Sequence, residues 1–230
     1  SKGQIVVLDG ALAGELVGVT RLAYDGTALP IAATELVTAE VTTRDIDRGD
    51  APHFLLKEIS EAPESFRKTL RGKIVERDGV LHASLGVKTL PTSIIEQLAS
   101  GAIRKVRVIG QGTAAIAGRS CATVLDELCA GGLDVDPITA TELSGFHLQL
   151  DMSDTLIIAV SQSGTTTDTN RTVDLARSRG ASVLVIVNRR GSDLCDKADG
   201  VLFTSDGRDV EMSVASTKAF YAQVAAGVLL

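Results

Sequence analysis

The side chains best suited to bind a ligand lie in one turn, Ser161-Gln-Ser-Gly-Thr-Thr-Thr-Asp-Thr169. It follows the β-branched run Thr155–Val160 and opens a segment with helical spacing. Backbone N–H groups at a helix N-terminus are unpaired and lie at the positive end of the helix dipole, so they favour an anion. Ser161, Ser163 and Thr166 add hydroxyl donors, and no Lys or Arg interrupts the turn. We therefore predict a site for a small phosphorylated metabolite; the alternative is an ordinary strand-to-helix connection with Ser and Thr as caps.

Composition excludes several other classes of ligand. The chain has 230 residues, of which 44% are hydrophobic, and can bury a sizeable core. Its 23 basic and 29 acidic residues give a net charge of -6 without a Lys/Arg cluster, which argues against nucleic acid or an anionic membrane as a partner. The three cysteines lack metal-type spacing, and neither a signal peptide nor a membrane-spanning run is evident, so we expect a cytoplasmic protein.

Residues 1–50 and 51–90 differ in pattern from the rest of the chain. The first segment has short β-type runs separated by Gly, Asp and Pro, at Ile5–Leu8, Glu15–Ala23 and Thr38–Thr42. We predict that it is a β-rich remnant of a neighbouring domain. The second segment is predicted to be a helical linker, with helices at Phe54–Ile59 and Pro63–Leu70.

Residues 91–230 alternate between apolar strands and amphipathic helices. Strands are predicted at Lys105–Ile109, Asp134–Pro137, Thr155–Val160, Ser182–Val187 and Gly200–Phe203. Helices are predicted at Pro91–Ala99, Ala114–Cys129, Ala140–His147, Thr165–Arg179, near Ser192–Lys197 and at Ser216–Leu230. This alternation predicts an α/β fold with a doubly wound parallel sheet, preceded by the small β-rich segment. The last helix stops within an apolar run, so we expect a fragment of a longer protein.

Three turns rich in hydroxyls or glycine are placed to meet at one edge of this sheet. They are Gly110-Gln-Gly-Thr113, Ser161-Gln-Ser-Gly164 and Val214-Ala-Ser-Thr217. Ligands of doubly wound sheets bind at the carboxyl ends of the strands, near the point where strand order reverses. These turns are therefore the predicted binding site.

The turns resemble motifs of the sugar isomerase (SIS) domain, and more narrowly of the glucosamine-6-phosphate synthase family. That family typically has SQSGETADT where this chain has Ser161-Gln-Ser-Gly-Thr-Thr-Thr-Asp-Thr169, and EIGVASTKAF where it has Glu211-Met-Ser-Val-Ala-Ser-Thr-Lys-Ala-Phe220. Upstream, His53-Phe-Leu-Leu-Lys-Glu-Ile59 and Pro63-Glu-Ser-Phe-Arg67 resemble the linker between its glutaminase and isomerase halves. The resemblance covers roughly residues 50–230 and implies a flavodoxin-like SIS domain at 91–230.

The resemblance also implies roles for eight residues. Ser161, Ser163 and Thr166, with the backbone around Gln162, would hold the phosphate of a hexose 6-phosphate, either fructose 6-phosphate or glucosamine 6-phosphate. The remaining four would lie around the sugar: Gly112, Thr113, Val214 and Ser216. No metal ion or cofactor is expected, and the partners would be a second copy of the chain, a glutaminase domain and a second SIS domain.

Three positions depart from the family pattern and leave the identity of the sugar open. The first turn usually contains CGTS, whereas this chain has Gln111-Gly-Thr-Ala114, and Thr165 stands in place of the Glu of SQSGET. The isomerisation residues of the family lie largely in its second SIS domain, so no catalytic residue is predicted here and the chain alone is expected to be inactive. A non-catalytic sugar-phosphate sensor and a deglycase acting on fructosamine phosphates are the alternatives.

Polar residues outside the turns are predicted to be structural. Lys218 begins the last helix and could approach the phosphate, but a structural role is favoured. Glu211 could act as an acid or base, yet the family places that chemistry elsewhere. The histidines are far apart and lack acidic partners at metal-ligand spacing: His53, His82 and His147.

Overall fold

A computed structural model describes residues 4–35 and 46–230 of the chain. The chain divides into two compact units, residues 1–42 and residues 43–230. In the first unit, three antiparallel strands lie in the order β1 (Gln4–Leu8), β2 (Val19–Ala23) and β3 (Ala28–Leu29). The predicted strand Glu15–Ala23 begins only at Val19, because Leu16–Gly18 form a 3-10 turn. The predicted strand Thr38–Thr42 lies outside the described residues.

The second unit begins with a single helix, α1 (Phe54–Leu70), where the sequence predicts two. The predicted break at Pro63 is wrong. Proline lacks the N–H that would bond to the carbonyl of Ile59, which usually interrupts a helix. Here α1 packs against the C-terminal helix, and its buried side chains lie on both sides of Pro63, at Glu58, Ser65 and Thr69. Tertiary packing therefore outweighs the local cost of the proline.

A β-hairpin that the sequence analysis does not predict follows α1. It pairs β4 (Ile74–Arg77) with β5 (Val80–Ala83) in antiparallel register. The two-residue connection has Asp78 at φ 53° and Gly79 at φ 76°, the positive values that tight hairpin turns require. The Asp-Gly pair was thus the available sequence signal. Helix α2 (Thr92–Ala99) comes next, with Pro91 as its N-cap rather than its first residue.

The core of the second unit is a five-stranded parallel sheet. Its strands are β6 (Lys105–Gly110), β7 (Asp134–Thr139), β8 (Thr155–Ser161), β9 (Ser182–Val187) and β10 (Gly200–Phe203). They lie in the order β10-β9-β8-β6-β7, which is the flavodoxin-like arrangement with its reversal between β6 and β8. The predicted α/β fold with a doubly wound parallel sheet is confirmed.

Helices cover both faces of this sheet. They are α3 (Thr113–Cys129), α4 (Ala140–Glu142), α5 (Thr167–Arg177), α6 (Asp193–Asp196) and α7 (Lys218–Leu229). Strand β8 shows the division: Leu156, Ile158 and Val160 face the core containing α2, α3 and α7, whereas Ile157 and Ala159 face the core containing α5. Alternation along a strand buried on both faces explains its continuous apolar run.

Several predicted helix ends differ from the structure. The predicted helix Ala140–His147 is wrong in its second half, where Leu143–His147 form a wide π turn. Helix α5 begins at Thr167 rather than Thr165, because the preceding residues form the hydroxyl-rich turn. Helix α7 begins at Lys218 rather than Ser216. Both shifts lengthen the turns at the binding edge of the sheet.

Candidate functional site

A cavity lies at the edge of the sheet where strand order reverses. Strands β6 and β8 are neighbours there, and the turns that follow them open α3 and α5. The cavity has a volume of about 150 Å³. Its lining residues are Gln111, Thr113, Ala114, Val160, Ser161, Gln162, Ser163, Thr166, Thr169, Glu211, Ser213, Val214, Ser216 and Gln223. All three turns singled out in the sequence therefore contribute to one cavity.

Seven of the eight predicted site residues line this cavity. They are Thr113, Ser161, Gln162, Ser163, Thr166, Val214 and Ser216. The eighth, Gly112, is not among the lining residues; it is the N-cap of α3, with φ 59° and ψ -131°. Gly112 therefore shapes the first turn through its backbone. The structure brings the predicted residues together, and their binding roles stay a prediction.

The turn after β8 holds its two serine hydroxyls in fixed positions. Ser161 Oγ accepts from the Gly164 N–H at 3.0 Å, and Ser163 Oγ accepts from the Thr165 N–H at 3.2 Å. A hydroxyl that accepts through its oxygen keeps its own hydrogen for another acceptor. The two serines can therefore both donate toward an anion at the start of α5, where the helix dipole adds favourable potential.

Gly164 allows the turn to pack tightly against the segment before α6. Its φ is +67°, and a Cβ there would lie 2.0 Å from Ser192 Oγ. Its carbonyl also accepts from the Leu194 N–H at 3.2 Å and from the Asn170 side-chain amide at 3.0 Å. A larger residue would displace this junction, so glycine is required for the shape of the turn.

Two carboxylates hold the segment between β10 and α7 on the other side of the cavity. Buried Glu58 of α1 accepts from the backbone N–H groups of Met212 and Ser213. Glu211 accepts from the Thr217 N–H at 2.6 Å and from Ser216 Oγ at 3.0 Å. These charge-assisted bonds stabilise an otherwise irregular segment. Glu211 is accordingly occupied at the N-terminus of α7, in agreement with its predicted structural role.

Comparison with known proteins identifies the family. The model of the SIS domain matches residues 102–230, more than half of the chain. The chain belongs to the SIS domain family. The match covers β6 to α7 and so includes all three turns of the cavity.

Named relatives of this SIS domain are glutamine–fructose-6-phosphate aminotransferases (isomerizing). The one from Symbiobacterium thermophilum is 37% identical over 232 aligned residues, covering 99% of this chain and 35% of the relative. One from Thermus thermophilus is 34% identical over 220 residues, covering 94% of this chain and 34% of the relative. The chain thus spans about a third of these relatives, and the resemblance to this family is confirmed.

Solved structures confirm the fold of the SIS domain. The C-terminal domain of glucosamine-fructose-6-phosphate aminotransferase from Francisella tularensis superposes with a TM-score of 0.64 at 25% identity, covering 80% of this chain and 47% of that one. Tagatose-6-phosphate ketose/aldose isomerase from Escherichia coli superposes with a TM-score of 0.58 at 18% identity, covering 75% of this chain and 46% of that one. The second likeness shows the fold alone.

The three departures from the family pattern lie at or beside the cavity of the SIS domain. Gln111 and Ala114 line it, and the Thr165 hydroxyl donates to Ser163 Oγ at 2.9 Å. Thr165 therefore supports the serine from within the turn, a contact that a glutamate at this position could not donate. The departures change the polar groups around the ligand without removing the cradle.

Lys218 lies at a different cavity from the hydroxyl turns of the SIS domain. Its side chain is buried, and Nζ lies 2.6 Å from Glu61 Oε2 of α1. That second cavity has a volume of about 340 Å³ and is lined by Lys57, Glu61, Glu64, Ser65, Lys68, Arg208, Asp209, Val210 and Lys218. The ion pair joins α7 to α1, as expected for a structural lysine.

Sequence reasoning missed two buried polar residues of the cavity, Thr169 and Gln223. Each is 1% exposed, and Thr169 Oγ1, Gln223 Nε2 and Gln223 Oε1 have no hydrogen-bond partner among the described residues. The signal in the sequence was weak: Gln223 is the one amide within the apolar helix α7, and Thr169 is the last residue of the hydroxyl run. Only the fold shows that they meet.

Titratable residues give little sign of a second kind of chemistry. Within residues 4–35 and 46–230, no group of three or more His, Cys, Asp and Glu side chains is arranged to hold a metal ion. Burial raises the pKa of the Cys121 thiol to about 11, so it stays protonated at neutral pH. His53 instead caps α1, its Nδ1 accepting from the Leu56 N–H at 3.2 Å. In the same part of the chain, no helix is both long and apolar enough to cross a membrane.

Proposed function

We propose that this chain binds a hexose 6-phosphate as the isomerase-half fragment of a glutamine-dependent fructose-6-phosphate amidotransferase. The phosphate is held by Ser161, Ser163 and Thr166 at the start of α5. The sugar extends between the turn after β6 and the segment before α7, beside Thr113, Val214 and Ser216. Isomerisation to glucosamine 6-phosphate takes place only in the intact protein.

The observation that carries this proposal is the hydroxyl cradle at the reversal of strand order. Two serine oxygens already accept from backbone N–H groups, so their hydrogens point to another acceptor. None of the residues lining the cavity is Lys or Arg, which suits an anion held by dipoles and hydroxyls that must also be released. The relatives named above act on fructose 6-phosphate by their names, and they supply the class of sugar.

The test is isothermal titration of the chain with fructose 6-phosphate, glucosamine 6-phosphate and inorganic phosphate. Ser163→Ala is expected to weaken sugar-phosphate binding about tenfold to a hundredfold, as for the loss of one hydrogen bond to a charged group. Ser178→Ala is the matched control, because Ser178 ends the same helix and bonds only to the Leu175 carbonyl at 2.8 Å. Equal affinity for sugar phosphate in the wild type and Ser163→Ala would contradict the proposal.

The intact protein adds the parts that this chain lacks in the proposal. A glutaminase domain supplies ammonia, a second SIS domain supplies the isomerisation residues, and the assembly is a cytoplasmic homodimer. The chain alone is then catalytically inert. Incubation with fructose 6-phosphate and ammonia should yield no glucosamine 6-phosphate, whereas measurable product would place the chemistry within this chain.

A non-catalytic sugar-phosphate sensor is the second candidate. The bond from Thr165 to Ser163 and the Gln111 and Ala114 side chains at the cavity favour a ligand preference that differs from the family's. A sensor would bind one sugar phosphate tightly and remain without turnover even in the intact protein. Activity assays on the full-length protein with glutamine therefore separate the two functions.

A further inference from the structure

The closed end of the cavity carries polar atoms that the fold itself leaves unpaired. Gln223 projects from α7 and Thr169 from α5, and both line the cavity while being 1% exposed. Neither polar atom of the Gln223 amide, nor Thr169 Oγ1, has a partner among the described residues. Leaving buried donors and acceptors unpaired destabilises a protein, so an apolar residue would suit the fold better at either position.

The neighbouring residues show that this is a local choice. Gln223 lies within the apolar run of α7, where buried Ala222, Ala225 and Ala226 pack into the core. One turn after Thr169, buried Thr172 satisfies its hydroxyl by donating to the carbonyls of Ala140 and Asp168, both at 2.8 Å. The unpaired groups are therefore those that border the cavity.

The chemistry of these groups selects the kind of ligand atom they would bind. An ionised phosphate only accepts hydrogen bonds, so it would leave the carbonyl oxygen of the amide unpaired. A sugar hydroxyl both donates and accepts, and it can pair with a primary amide and a threonine hydroxyl together. The terminal torsion of glutamine is broad, so the amide can turn toward a ligand without movement of α7.

We propose that Gln223, together with Thr169, is a specificity-determining residue that hydrogen-bonds hydroxyl groups on the carbon chain of the bound sugar phosphate. This inference rests on the proposed function. It divides the cavity into a serine cradle for the phosphate and an amide–hydroxyl pair for the sugar. A buried polar group of this kind discriminates strongly against ligands that leave it unpaired.

The experiment compares binding of fructose 6-phosphate and inorganic phosphate by the chain and its variants, using NMR titration. Gln223→Leu and Thr169→Val are each expected to weaken fructose 6-phosphate binding about tenfold or more and to change phosphate binding less than twofold. Gln223→Leu should also raise the melting temperature without ligand, because it removes an unpaired buried amide. Thr172→Val is the matched control: it should lower the melting temperature and leave both affinities unchanged.

Three results would overturn the inference. Unchanged binding of fructose 6-phosphate by Gln223→Leu means that the amide does not contact the sugar, while the proposed function stands. Equal weakening for both ligands assigns the amide to the phosphate instead. Absence of fructose 6-phosphate binding in the wild-type chain refutes the proposed function and the inference with it.

Discussion

Gly164 offers a sharp test of how the hydroxyl turn is built. Its φ of +67° disfavours any residue with a Cβ, and that Cβ would overlap Ser192, with Oγ 2.0 Å and Cβ 2.6 Å away. The left-handed conformation costs about 1–2 kcal/mol for an L-residue. The overlap costs about 1–3 kcal/mol more, as in other overpacked sites. Gly164→Ala should therefore lower the free energy of unfolding by about 2–5 kcal/mol.

Gly191→Ala is the matched control for this prediction. Gly191 has φ +63°, nearly that of Gly164, but a Cβ there would meet no atom within 4 Å. It should cost only the conformational term of about 1–2 kcal/mol. Both substitutions restrict the unfolded chain equally, so that contribution cancels in the comparison.

Urea denaturation of both variants measures the difference. A double variant, Gly164→Ala with Ser192→Gly, removes both overlapping serine atoms and should return to the stability of Gly191→Ala. Glycine as the N-cap of α6 costs only a few tenths of a kcal/mol relative to serine. If Gly164→Ala proves no less stable than Gly191→Ala, close packing against Ser192 is not what requires the glycine, and the reasoning fails.

Two further predictions concern charged groups. Glu58→Gln should weaken sugar-phosphate binding and destabilise the chain by about 1–3 kcal/mol, because a donor NH2 then faces backbone N–H groups; Glu64→Gln on the exposed side of α1 should do neither in the same titration and urea experiments. The hydrogen bond from Lys105 lowers the pKa of Asp154, helped by Arg104, so this carboxylate stabilises the fold above its unfolded pKa of about 4 and the stabilisation is lost as pH falls through the lowered value. Asp154→Asn should therefore cost up to about 1 kcal/mol at pH 7 and progressively less below about pH 4, and a constant difference across pH would argue against the ion pair.

The sheet could be predicted because its strands carry their own signal. The β-branched runs Ser182–Val187 and Gly200–Phe203 match their observed bounds, since strands buried on both faces are apolar throughout. Prediction failed where tertiary contacts decide. Pro63 predicts a break that packing of α1 against α7 overrides. The start of α5 was misplaced because a Ser/Thr run is compatible with either a helix or a turn.

The candidate site divides in the same way. The hydroxyl turn after β8 could be predicted because its residue types and its place between strand and helix both favour an anion. Gln223 could not, since nothing in an apolar helix indicates which residue borders a cavity 54 positions away from Thr169 along the chain. The contribution of Glu58 was hidden for the same reason: its hydrogen bonds to Met212 and Ser213 join residues distant in sequence.

The contacts of α1 have a consequence for how proteins of this kind are divided into parts. The SIS match begins at residue 102, yet Glu58 holds one wall of the cavity and Ser65 Oγ lies 2.6 Å from Ser205 Oγ. A polypeptide trimmed to the matched residues would keep every cavity-lining side chain and lose the helix that fixes the segment before α7. Motif boundaries thus record where residue types recur, whereas the unit of folding is set by the hydrogen bonds that cross them.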